Sequence, residues 1–166
     1  MEKIKKFAPI GAVVLALVAI IMCFLPGAAV EGDSMSVWET IFGYSETYAG
    51  ESMNVVGFSF LNLIPLLCVV VGAVLVVLNV MGKGSNLFGI VAAVLFVVAG
   101  IFFFLVTTNA MPGSYFDTIP EAYRDASWEA AKDAWDLGVG AILAAICSII
   151  AAVCAACPVV LDKMGK

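Results

Sequence analysis

Cys154 and Cys157, followed by Pro158, come nearest in this chain to a reactive pair. Two thiols at that spacing do redox work when they open a helix after a strand, and they hold zinc when two further ligands join them. Here the pair lies inside an apolar run without a strand signal before it, and the sequence contains no histidine. That absence also removes the commonest general base and the usual pH switch. Cys23, Cys68 and Cys147 fall in apolar runs too, so all five cysteines read as small packing residues. Lipidation of Cys154 or Cys157 is the one modification their position leaves open. The carboxylates Glu31, Asp33, Glu39, Glu46 and Glu51 lack the dense spacing of a calcium loop. No glycine-rich phosphate loop follows a strand, and no serine elbow is present. No catalytic residue, metal ligand or cofactor site is predicted, and the chain is not expected to be an enzyme.

A second group of polar residues stands inside or beside apolar sequence. Pro65 cannot donate a backbone hydrogen bond, and Asn62 lies beside the carbonyl this leaves short. Ser59 precedes them, and Thr107, Thr108 and Asn109 close a later apolar run. If the two runs are neighbouring helices, these six groups meet at one depth. They then either hydrogen-bond between helices or rim a small outward-facing pocket.

The elements that must position them follow from composition. Apolar residues are 63% of 166 and charged residues 13%, a balance that no soluble domain of this size could bury. Four runs without a charge, 7–25, 58–80, 87–108 and 137–161, are each long enough to cross a bilayer as a helix. The runs are continuously apolar, without the alternation of a barrel strand. The predicted fold is therefore all-α, a four-transmembrane-helix bundle in one domain. The start of the chain also resembles a signal peptide cleaved after Ala29, but its apolar stretch is longer than a signal core.

Charge orients the bundle. Lys3, Lys5, Lys6, Lys83, Lys163 and Lys166 fall at one end, and eleven of the thirteen carboxylates fall in the long loops 26–57 and 109–136. Basic short segments stay cytoplasmic, which places both termini and the turn 81–86 inside a plasma or inner membrane and both long loops outside. The net charge of −5 and the lack of any basic patch exclude nucleic acid as a partner.

The halves 1–83 and 84–166 resemble each other. At an offset of 80, Ile10, Ala12, Val14, Leu15, Val18, Ala19, Ile21, Phe24 and Leu25 recur as Ile90, Ala92, Val94, Leu95, Val98, Ala99, Ile101, Phe104 and Leu105. Met81-Gly82-Lys83 recurs as Met164-Gly165-Lys166. A parallel 2+2 repeat with its axis along the membrane normal is expected.

Small residues spaced four apart, Gly140, Ala144, Ser148, Ala152 and Ala156, form a packing seam on the last span. It serves either the bundle itself or a homo-oligomer. In the second loop, Thr118-Ile119-Pro120-Glu121 has the pattern of a capping box. It opens an expected extracytoplasmic amphipathic helix over 119–136, with Tyr123, Ala126, Trp128, Ala130, Ala131, Ala134 and Trp135 on one arc. Trp38, Phe42, Tyr123, Trp128 and Trp135 are the candidate outer-surface contacts.

The four-span layout is similar to that of claudins and tetraspanins in topology only. Neither Trp-Gly-Leu-Trp-Cys-Cys nor Cys-Cys-Gly occurs here. The expected function is a small scaffold or accessory subunit, with the lipid bilayer and a homo-oligomer or another membrane protein as partners. An oligomeric channel or small transporter, its pore between chains, is the competing expectation.

Overall fold

The computed structural model describes residues 2–30, 32–48 and 50–164, without the side chains of Tyr48, Lys163 and Met164. Four helices are long and apolar enough to cross a membrane: α1 (Glu2–Met22), α3 (Phe60–Val80), α4 (Asn86–Phe104) and α6 (Val139–Met164). Each begins and ends within about five residues of the corresponding apolar run.

Helix α6 is the hub. It packs along α1 on one side and α4 on the other, while α3 packs along α4 and more lightly on α1. Around the bundle the order is α1, α6, α4, α3. Alanines make this closeness possible: Ala12, Ala16 and Ala19 of α1 and Ala141, Ala144, Ala145 and Ala151 of α6 lie in one core cluster, all fully buried. Lacking strong hydrophobic drive in lipid, such helices gain their stability from backbone-close packing of this kind. Phe96 and Phe103 fill the space that remains, with a Phe96 ring carbon 3.0 Å from where a Cβ on Gly72 would stand. The opposite faces carry exposed Ile10, Val14, Leu17, Val70, Val74, Val94 and Val153, an apolar exterior suited to lipid.

The fold is not all-α. Both long loops fold together into a cap containing six short strands. Strands β1 (Pro26–Val30) and β2 (Asp33–Ser36) are antiparallel, and β6 (Asp136–Leu137) from the second loop adds to the free edge of β1. Strands β3 (Tyr44–Tyr48) and β4 (Glu51–Gly57) form a hairpin, and β5 (Met111–Pro112), also from the second loop, adds to β4. Two peptide hydrogen bonds extend these crossings: Gly138 N donates to Gly27 O at 2.9 Å, and Gly113 N donates to Val55 O at 2.9 Å.

The cap has its own core of Ala28, Met35, Val56, Ala110, Phe116 and Trp128. Between the sheets' origins lies α2 (Val37–Phe42), whose capping box is complete. Glu39 N donates to Ser36 Oγ at 3.2 Å, and Ser36 N donates to Glu39 Oε2 at 2.6 Å. The box expected at Thr118 does not form. A 3₁₀ turn over Ser114–Thr118 takes the Thr118 hydroxyl, which donates to Tyr115 O at 2.7 Å. The helix then starts late, as α5 (Glu121–Asp133), with Pro120 at the N-cap and no side-chain cap bond. Ser36→Ala is accordingly expected to cost about 0.5–2 kcal/mol, and Thr118→Ala clearly less. Equal losses in chemical denaturation would contradict this assignment of the cap.

Candidate functional site

The polar cluster expected at the loop end of the spans divides in two. Ser59, Asn62 and Asn109 come together. Ser59 caps α3 by accepting from Asn62 N at 3.2 Å, and its hydroxyl donates to Asn109 O at 2.6 Å. The fully buried Asn62 amide donates to Thr40 O at 3.1 Å and Val106 O at 2.9 Å. One side chain therefore ties α3, α2 and the end of α4 together. Pro65, fully buried one turn further in, completes this group. Asn62 Oδ1 and Asn109 Nδ2 have no hydrogen-bond partner among the described residues. Thr40 belongs to the cluster through its backbone carbonyl, which no sequence signal reveals.

Thr107 and Thr108 turn the other way. With Glu129, Lys132 and Asp133 of α5 they line a separate cavity of about 110 Å³. Its one cation is engaged, since Lys132 Nζ lies 2.9 Å from Glu129 Oε1 and 5.9 Å from the Trp128 ring centre.

The row Gly140, Ala144, Ser148, Ala152 and Ala156 is an internal packing seam. A Cβ on Gly140 would stand 2.6 Å from Leu25 O and 2.7 Å from Met22 O, so α6 meets the end of α1 backbone to backbone. Ala144 and Ser148 are fully buried and Ala152 nearly so, with the Ser148 hydroxyl returned to Ala144 O at 2.8 Å. Ala156 alone is half-exposed, at the edge of an apolar groove between α4 and α6.

The aromatic residues separate by burial. Trp38 lies between Phe24, with centroids 5.4 Å apart, and Phe42, stacked at 5.5 Å, and Phe42 continues to Phe58 at 6.4 Å. Phe24, Phe42 and Phe58 are exposed, so this ladder crosses from the end of α1 to the start of α3 as an apolar strip. Trp128 corrects the expectation of a surface contact. It is buried in the cap core, edge-on to Phe116 at 5.0 Å and to Trp135 at 5.5 Å. Tyr123 is exposed, but the expected arc is corrected: Tyr123, Ala126 and Ala130 face outward, and the packed face of α5 includes Ser127, Trp128 and Ala131. The cap core takes the face of α5 that carries Trp128 and Ala131.

A cavity of about 490 Å³ in the cap is lined by Glu46, Met53, Val55, Tyr115, Phe116 and Ala131. A smaller one of about 70 Å³ shares Glu46 and Val55 and reaches Tyr44 and Trp135. Burial and the carboxylates of Asp33, Glu46 and Glu39 push the Tyr44 phenol up, a sign of the negative field over this part of the cap. Among the described residues no three His, Cys, Asp or Glu side chains are grouped to hold a metal ion, and the five cysteines are free thiols. No protein-family model matches this chain, and no curated protein or solved structure is significantly similar to it.

Proposed function

We propose that this chain is a small tetraspan scaffold or accessory subunit, with both termini and the 81–86 turn in the cytoplasm and the cap outside. The observation that carries the reading is the filled axis of the bundle. Ala16, Val69, Phe96, Phe103 and Ala145 are fully buried in one continuous core, and Asn62 closes its loop end with both amide hydrogens engaged. A single chain packed in this way favours holding partners over passing solutes. The surfaces left for partners are the Phe24–Trp38–Phe42–Phe58 ladder and the acidic cap.

The crossed strands support a parallel 2+2 repeat. If α1 corresponds to α4 and α3 to α6, the pairing of β1 with β6 maps onto that of β5 with β4. The ring order α1, α6, α4, α3 maps onto itself by a half-turn. Gly165 and Lys166, which end the repeated Met-Gly-Lys, lie outside the described residues.

Co-purification of the tagged native protein in mild detergent tests the role. A membrane-protein partner in fixed stoichiometry, with no conductance or uptake from the protein alone in vesicles, is the expected outcome. Reproducible single-channel currents or saturable uptake by the isolated protein would replace the scaffold with a pore formed between chains.

A further inference from the structure

We propose that the 490 Å³ cleft of the cap binds an organic cation with an apolar body, held by Glu46 against the rings of Tyr115 and Phe116. The volume lies within the range of small-molecule sites, roughly 300–1,000 Å³. Its lining has the composition of such sites as well. Met53, Val55, Phe116 and Ala131 supply apolar wall, and Glu46 is the single charged side chain. Glu46 on β3 stands directly opposite Met53 on β4, so the carboxylate and the thioether share one face of the hairpin, the face turned into the cleft.

The aromatic wall is continuous. Tyr115 meets Phe116 edge-on at 5.4 Å, Phe116 meets Trp128 at 5.0 Å, and Trp128 meets Trp135 at 5.5 Å. The chain of rings runs from this cleft to the smaller pocket that shares Glu46. Ring faces attract cations, and quaternary ammonium groups in particular are recognised by aromatic walls beside a carboxylate.

Charge selects the sign of the ligand. The cap's two cations are both engaged: Arg124 lies 3.7 Å from Asp117 and Lys132 lies 2.9 Å from Glu129. Neither lines the cleft. The Glu46 carboxylate makes no ion pair or hydrogen bond with a described residue, and Asp33 and Glu39 add to the negative field around Tyr44. An anionic ligand would meet this field with nothing to offset it, and a neutral one would leave the Glu46 carboxylate without a charge partner. A cation with an apolar body matches both parts of the lining. The site stands whether or not the chain serves as a scaffold.

The test uses the full chain in zwitterionic nanodiscs, titrated calorimetrically with benzyltrimethylammonium, benzyl alcohol and benzoate, with empty nanodiscs subtracted. Saturable binding of benzyltrimethylammonium is expected, about tenfold tighter than benzyl alcohol, with benzoate silent. Glu46→Gln is expected to weaken the cation about tenfold while leaving benzyl alcohol unchanged, and Met53→Lys, which sets an ammonium opposite Glu46, to abolish cation binding. Both positions lie on the hairpin away from the buried core, and an unchanged melting curve establishes that each variant is folded. No saturable heat with the cation, equal affinity for cation and alcohol, or undiminished cation binding by Glu46→Gln would overturn the assignment.

Discussion

Asn62→Asp is expected to destabilise the folded chain by about 3–5 kcal/mol at neutral pH, the cost of an uncompensated charge at a buried site. The native amide gives one hydrogen to Thr40 O and the other to Val106 O, and the residue is fully buried. A carboxylate at the same place would present negative charge to two carbonyl oxygens. Protonation relieves the charge and restores one donor. The sign of the pH dependence follows. The variant is least impaired in acid, where its carboxyl is protonated, and it loses stability as the pH rises and the charge forms. Asn62→Leu, without charge, is expected to lose less, because two carbonyls lose donors while the unpartnered Oδ1 also disappears. Denaturation of the three proteins at pH 4 and pH 7.5 measures both effects. If the aspartate variant matched wild type at neutral pH, Asn62 would not be the tie between α2, α3 and α4.

Gly140→Val should cost about 1–3 kcal/mol or more, because the new side chain meets backbone. The carbonyls of Leu25 and Met22 stand 2.6 and 2.7 Å from the position of its Cβ, and carbonyl oxygens cannot swing aside as a side-chain tip can. The end of α1 must separate from α6, taking β1 and its pairing with β6 along. Ala156→Val, in the same row but half-exposed at the far end, is expected to stay within about 0.5 kcal/mol of wild type. Comparable losses at both positions, measured by unfolding in detergent, would contradict an internal seam tightest at the cap end.

The spans were legible because each is a long, charge-free run, a signal that needs no knowledge of neighbours. The Asn62 cluster was legible in part for a related reason: an amide in apolar sequence must find partners, and Ser59 and Asn109 stood at matching ends of runs joined by a short turn. Thr40 was not, since its contribution is a main-chain carbonyl. Nor were the sheets. Met111–Pro112 and Asp136–Leu137 are two-residue strands, too short for any alternation, and they exist only because Val56 and Ala28 wait 56 and 109 positions away for Pro112 and Leu137. The choice of cap was decided by competition. Ser36-Val37-Trp38-Glu39 and Thr118-Ile119-Pro120-Glu121 carry the same pattern, but Thr118 closes the 3₁₀ turn Ser114–Thr118 and α5 begins only after Pro120, out of register with a cap at Thr118.

Everything proposed for the cap depends on four crossings that leave it on the outside with Lys83 on the inside. The measurement closest to that claim is labelling of intact cells with a membrane-impermeant maleimide, in a background without Cys23, Cys68, Cys147, Cys154 and Cys157. Single cysteines at Glu46 and Glu129, both exposed on the cap, should be labelled from outside, and a cysteine at the equally exposed Lys83 should react only after the cells are opened. Labelling of Lys83 from outside, or protection of either cap position in intact cells, would contradict the orientation.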